Sequence, residues 1–487
     1  MSSYGAVSVE PAERGGVTVE RNGPAPIRAQ HFRSAGTAAV GAVGAPPPHR
    51  LGASAHVSSH AKAIIVTAVL FSPILAEVIR KYVVWSNSVF TAHYAMIVVF
   101  LGLFLLKRTV QLRFVPQTLF TAACLVVAWV CLQAPLAGVS PLALVIGISS
   151  YVIPVVALYL SVIAFATTAR LAVYAFSVAT VILIVSYGLG MLQIVGGPDS
   201  AFNYMPPGIE NKIAGYPIAT GSGLDIGFMV RPASIYMHTA KFGSIVAVLS
   251  SFRLFYMYSA NYSLPRIVLQ VFAVDLPALV VSGQRAAAIV YLTALFVVLV
   301  RRGDAVSSIL LLGGIIVVLV GSAAGLVPSS ALSFGGIAVD RIASGLDEIP
   351  WRLQANILRP AIEVLERYLV IGEGPGVFSS GLRNFAESDY ALEHVFLVTE
   401  NGWLRTAAEL GLIGMLLFGL MLWTLATAGI RLSGRFFNYL TVLCLALALW
   451  SNTHDLFNNY VMMWQGFLLG GVVLLKSPRQ SRRSIHE

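Results

Sequence analysis

Against a mostly apolar background, a short set of polar side chains carries whatever chemistry this chain performs. Arg231 precedes Pro232, which biases it toward extended backbone. Ser234, His238 and Lys241 follow at spacings of four and three, so they share one helix face. Cations on such a stripe suit an anion, while snorkelling to a polar interface is the alternative use of Lys241. Arg285, in Ser282-Gly-Gln-Arg285, occupies a very short turn between two apolar runs. Its planar donor fork fits a phosphate or pyrophosphate, with lipid headgroups as the other reading. Further on, Arg341, Trp351, Arg352 and Arg359 precede a glycine cluster at Gly372-Glu-Gly-Pro-Gly376. His394, Glu400, Asn401, Trp403, Arg405 and Glu409 follow it. His394 and Glu400 are candidates for a general base near an acceptor hydroxyl. Arg405 and Glu409, four apart, also read as a simple helical pair. His454 and Asp455 are adjacent and could orient a proton acceptor.

These residues must be held by membrane-crossing helices. The chain is 57% hydrophobic and 11% charged, against roughly a quarter charged in soluble domains. Apolar runs near the ~20 residues needed to span hydrocarbon recur along it, and in lipid such runs must be helical. The expected fold is an all-α polytopic membrane protein with about twelve transmembrane helices and a large helical periplasmic loop. The spans read as 63–80, 89–106, 117–136, 142–166, 171–194, 234–257, 265–281, 286–300, 306–326, 406–428, 437–451 and 459–475. Residues 1–60, rich in Ala, Gly, Pro, Ser and Arg, read as a disordered cytoplasmic tail rather than a signal peptide. Residues 61–326 form a first helical bundle, 327–405 the large loop, 406–476 the C-terminal helices and 477–487 a second tail.

The net charge of +10 does not indicate nucleic acid. With both termini inside, Lys107, Arg108, Arg113, Arg170, Arg301, Arg302, Arg431 and Arg435 all fall on the cytoplasmic side, as topology requires. Arg80 and Lys81 are exceptions, with Glu77 one turn earlier as a possible partner. The loops at 195–233 and 327–405 then face outward, and with them Arg231 and Arg285. Cys124, Cys131 and Cys444 lie in apolar segments and read as small core-type residues. The glycine cluster lacks the pattern of a nucleotide loop, and no His-Glu-x-x-His spacing occurs, so neither a cofactor nor a metal is implied. Asp275, beside Pro277, is the clearest acid inside a span, and no second span shows a match for it. A transporter that performs no chemistry is therefore a competing class.

The segment Glu400-Asn-Gly-Trp-Leu-Arg-Thr-Ala-Ala-Glu409-Leu-Gly-Leu-Ile-Gly414 resembles the signature closing the large periplasmic loop of the O-antigen ligase/polymerase superfamily. Trp351 and Gly372-Glu-Gly-Pro-Gly-Val-Phe378 resemble that loop's upstream region. Arg231-Pro-Ala-Ser-Ile-Tyr-Met-His238 and Ser282-Gly-Gln-Arg-Ala-Ala-Ala288 resemble the family's two arginine motifs. The resemblance runs over residues 63–475. It implies glycosyl transfer, at the periplasmic face of the bacterial inner membrane, from an undecaprenyl-pyrophosphate-linked glycan. Arg231 and Arg285 would bind the pyrophosphate, joined by Lys241 and His238, with Glu400 or His394 as base. Trp351, Arg352, Trp403, Arg405 and His454 would contact glycan or acceptor. Ligases usually carry His-Asn where this chain has Glu400-Asn401, which favours a polymerase of O-antigen or exopolysaccharide units over a ligase acting on lipid A core. Membrane lipids, a chain-length regulator and a flippase of the same pathway are the implied partners.

Overall fold

A computed structural model describes residues 52–84, 117–167, 170–196, 201–203, 232–236, 239–302, 370–378, 401–433, 438–452, 456–457 and 459–475, with a few single positions such as His93. Among these residues the chain is helical: α1 (Gly52–Tyr82), α2 (Gln117–Leu136), α3 (Pro141–Thr167), α4 (Leu171–Gly196), α5 (Thr239–Ser259), α6 (Leu264–Ser282), α7 (Arg285–Arg302), α8 (Gly402–Ser433), α9 (Tyr439–Trp450) and α10 (Tyr460–Leu475). Seven contain a stretch long and apolar enough to cross a membrane, namely α1 to α6 and α8. α9 and α10 are shorter apolar helices, and α7 is an 18-residue helix that carries Arg285, Arg301 and Arg302. Apart from single positions such as His93, the spans read at 89–106 and 306–326 lie outside the described residues.

This is a membrane protein by the character of its helices. Apolar side chains cover the outside as well as the core: Leu125 and Leu132 on α2, Val181 on α4, Leu269 and Phe272 on α6 are all exposed. A soluble bundle would place polar residues there; a lipid-facing one has no reason to. The inner surface is also tightly packed. α10 seats on α3, where a Cβ on Gly471 would strike Ser161, and on α9, where Gly466 and Gly470 face Leu443 and Leu440. Small residues at four-residue spacing allow such close approach. α8 packs on α2, α7 on α5, and α5 also touches α4 and α10.

Three local departures from the sequence expectation have physical reasons. α1 begins at Gly52, so the last residues assigned to the tail are helical; from Ala53 to Arg80 only Pro73 interrupts a run of residues that can extend a membrane-anchored helix. The sixth span begins at Thr239 rather than 234, because Ser234 adopts a positive φ of 54° and turns the chain. α6 is not uniform: Val271–Asp275 is a π-turn, in which the Leu276 amide reaches back to the Val271 carbonyl. Pro277, two residues beyond, has no amide to donate and favours such an irregularity.

Candidate functional site

One end of the bundle gathers five segments: the ends of α1 and α4, the turn before α5, the turn before α7 and Asn459. The turn Pro232–Tyr236 is anchored from α1 and α4: Lys81 Nζ donates to the Ser234 carbonyl at 2.5 Å and the Tyr236 carbonyl at 2.9 Å. Tyr82 donates to the same Ser234 carbonyl at 3.2 Å. From α4, Gln193 accepts from the Ser234 amide at 2.8 Å, and the Ser234 hydroxyl donates to the Ser186 carbonyl at 2.6 Å. A turn carrying this many partners is fixed, and it feeds directly into α5. There Lys241 Nζ lies 2.5 Å from Glu77 Oε1 of α1. The turn Gly283–Gln284 reaches the same place, with Gln284 Nε2 donating to the Thr239 carbonyl at 3.3 Å. Asn459, ahead of α10, donates to Ser244 Oγ at 2.7 Å.

Charged side chains cluster at this end. Glu77 is fully buried, Lys81 and Arg80 are buried beside it, and its field reaches both. Counting Lys241, the described residues here place three cations around one carboxylate. Cations gathered at a helix end in this way suit an anion. Tyr236, in the turn, has its phenol pushed well above the usual range by burial and then by the Glu77 charge, so it stays neutral.

Of the residues singled out from sequence, the structure brings the helix of Lys241 and the first turn of α7, which begins at Arg285, to this one end. Glu77 accepts from Lys241, and its charge also acts on Arg80 and Lys81, the neighbours one turn along. The side chain of Arg285, and Arg231, His238, Trp351, Arg352, His394, Glu400 and His454, lie outside the described residues. Trp403 is half-buried on α8, donating to the Ala448 carbonyl at 2.8 Å and packed edge-on against Phe457 and Phe418. Asn401 caps α8, its Oδ1 accepting from the amides of Trp403 and Leu404, both at 3.0 Å. No protein-family model matches this chain, and no curated protein matches it. The resemblance drawn from the motifs therefore rests on the residues themselves.

Two other polar centres escaped sequence reading in part. Arg405 and Glu409 do pair, at 3.1 Å and fully buried. Glu409 also accepts from Tyr151 at 2.5 Å and from the Phe378 amide at 3.1 Å, so the pair ties α8 to α3 and to the glycine cluster. Asp275 has a charge partner: Arg253 of α5 pairs with it, with both side chains fully buried. Arg253 was legible only as a charge in a span, and its distance of 22 residues from Asp275 hides the pairing. The cysteines are free, with Cys124 and Cys131 exposed on α2 and Cys444 buried.

Proposed function

We propose that the chain is a membrane-embedded glycosyltransferase that takes glycan from an undecaprenyl-pyrophosphate-linked donor and polymerises O-antigen or exopolysaccharide repeat units. The observation that carries this reading is the meeting of the first turn of α5, with Lys241, and the Gly283–Gln284 turn at one cation-rich end of the bundle. A pyrophosphate leaving group gathers negative charge as the glycosidic bond breaks, and prearranged cations stabilise that charge without reorganising. In this reading Arg231 and Arg285 clamp the pyrophosphate and Glu400 or His394 activates the acceptor hydroxyl. The cation-rich end faces the periplasm, both termini are cytoplasmic, and about twelve spans cross the inner membrane. In this reading loop 327–405 lies on the same periplasmic side.

The test is genetic and biochemical. Arg231→Ala and Arg285→Ala, expressed at normal levels, should each abolish long surface polysaccharide on a gel; normal long chains from both would sink the assignment. Deleting the gene should leave single repeat units, as a polymerase requires. Full-length chains stranded on the lipid carrier would instead identify a ligase acting on lipid A core. A transporter takes some support from the buried Arg253–Asp275 pair at a π-turn inside the membrane. Purified protein that moves lipid-linked glycan across vesicles without lengthening it would favour that class.

A further inference from the structure

Glu77 and Lys241 differ in one respect that matters for any anion arriving at this end. The Glu77 side chain is fully buried, whereas that of Lys241 is 29% exposed. The carboxylate is thus fixed inside the bundle, and the ammonium has an open side. An ammonium has three donors, of which the contact with Glu77 at 2.5 Å uses one. Lys81, by contrast, is 2% exposed and tied to two backbone carbonyls. Of the described cations here, Lys241 is the one placed to be shared with a ligand.

We propose that Glu77 is an internal competitor for the phosphate-type anion that Lys241 helps to hold, a positioning residue that orients Lys241 and speeds release of that anion. The inference rests on the pyrophosphate reading above and adds a regulator of the same site. Bound anion and Glu77 both attract the same ammonium, and each weakens the other's hold on it through like-charge repulsion. Because Glu77 cannot leave, it sets a ceiling on anion affinity. Without that carboxylate, Lys241 would hold the pyrophosphate product more tightly.

Isothermal titration of the full-length protein in detergent micelles with inorganic pyrophosphate tests this. Glu77→Gln keeps shape and a hydrogen bond but removes the charge, and should bind pyrophosphate about five- to tenfold more tightly than the unmodified protein. In a transfer assay the same variant should lower KM and kcat together, as expected when product release slows. A purely structural Glu77 would instead lose stability with no gain in affinity, and that result overturns the inference. Should Glu77→Gln fail to fold, the comparison moves to Lys241→Gln, which leaves a bare carboxylate facing the anion. The double variant Glu77→Gln/Lys241→Gln should then bind several-fold more tightly than Lys241→Gln, and equal affinities overturn the proposal. Pyrophosphate binding that Arg285→Ala weakens but Glu77→Gln leaves unchanged refutes the role of Glu77 alone. No binding by any variant refutes the anion site and this inference with it. If phosphatidylglycerol added to the micelles displaces pyrophosphate with the same dependence on Glu77, the anion is a bilayer headgroup; the role of Glu77 then stands and the glycan-transfer reading falls.

Discussion

Asp275 survives inside an apolar helix because Arg253 reaches it from α5. The guanidinium donates through Nη1 to Asp275 and through Nη2 to Gln270 Oε1 at 2.5 Å, while Tyr291 donates to the second carboxylate oxygen at 3.2 Å. The face of Phe176 lies 5.4 Å from the guanidinium carbon. Each charge is stable only with the other, since a lone desolvated ion is far more costly than the pair. Asp275→Leu should therefore destabilise the protein by about 3–5 kcal/mol, seen as a lower unfolding temperature in micelles. Arg253→Met combined with Asp275→Leu should recover most of that loss, because two apolar side chains replace a paired site. A single variant as stable as the original would show that the pair carries no such coupling. The acid was legible in the sequence; its partner was not, because the contact joins two helices through a turn whose packing no spacing rule encodes.

At the scale of elements, the break in α8 decides how the glycine cluster docks. Gly411 has φ 67° and ψ −178°, a conformation nearly reserved for glycine, so the helix is interrupted there. Carbonyls around the break take donors from elsewhere: the Ala408 carbonyl accepts from the Glu373 amide at 2.8 Å, and that of Glu409 from the Gly374 amide at 2.9 Å. Gln133 of α2 donates to the Glu409 carbonyl at 2.5 Å and also to that of Ile371, and Trp129 donates to the Leu410 carbonyl at 2.9 Å. Non-helical backbone at such depth is tolerated where protein satisfies it in this way. A Cβ on Gly411 would also strike the Val370 carbonyl. Gly411→Ala should thus cost roughly 1–3 kcal/mol in strain and loosen residues 370–378. Gln133→Leu, which removes the bridging donor, should act in the same direction by about 1–3 kcal/mol. Faster amide exchange in the peptide covering 370–378 is the expected signal, and unchanged exchange in both variants would refute the docking role. The cluster itself was readable as a chain break from its glycines and proline. Its seat was not: Gln133 and Trp129 are ordinary residues in an apolar run, and Gly411 sits in a pattern that reads equally well as unbroken helix.

For the whole molecule, alternation of helices gives the proposed orientation a direct check. The ends of α1 and α4, the turn before α5, the turn before α7 and Asn459 meet at one end, joined by the bonds of Lys81, Gln193, Gln284 and Asn459. Arg302, at the far end of α7, donates to the Tyr262 carbonyl in the turn between α5 and α6. Arg301 and Arg302, which topology assigns to the cytoplasm, thus sit at the opposite end of α7 from the turn before it. Hydropathy and charge counting made that separation legible, since both depend on sequence position alone; which cations meet which carboxylate depends on helix rotation, which neither measures. The turns at Ser140 and Ser263 are both exposed, and the orientation puts the first outside and the second inside. In a background with Cys124, Cys131 and Cys444 replaced, Ser140→Cys should react with a membrane-impermeant maleimide on intact cells. Ser263→Cys should react only after the inner membrane is opened. The reverse pattern would place the cation-rich end in the cytoplasm. A donor glycan presented at the periplasmic face could not then reach it, whatever the arginines bind.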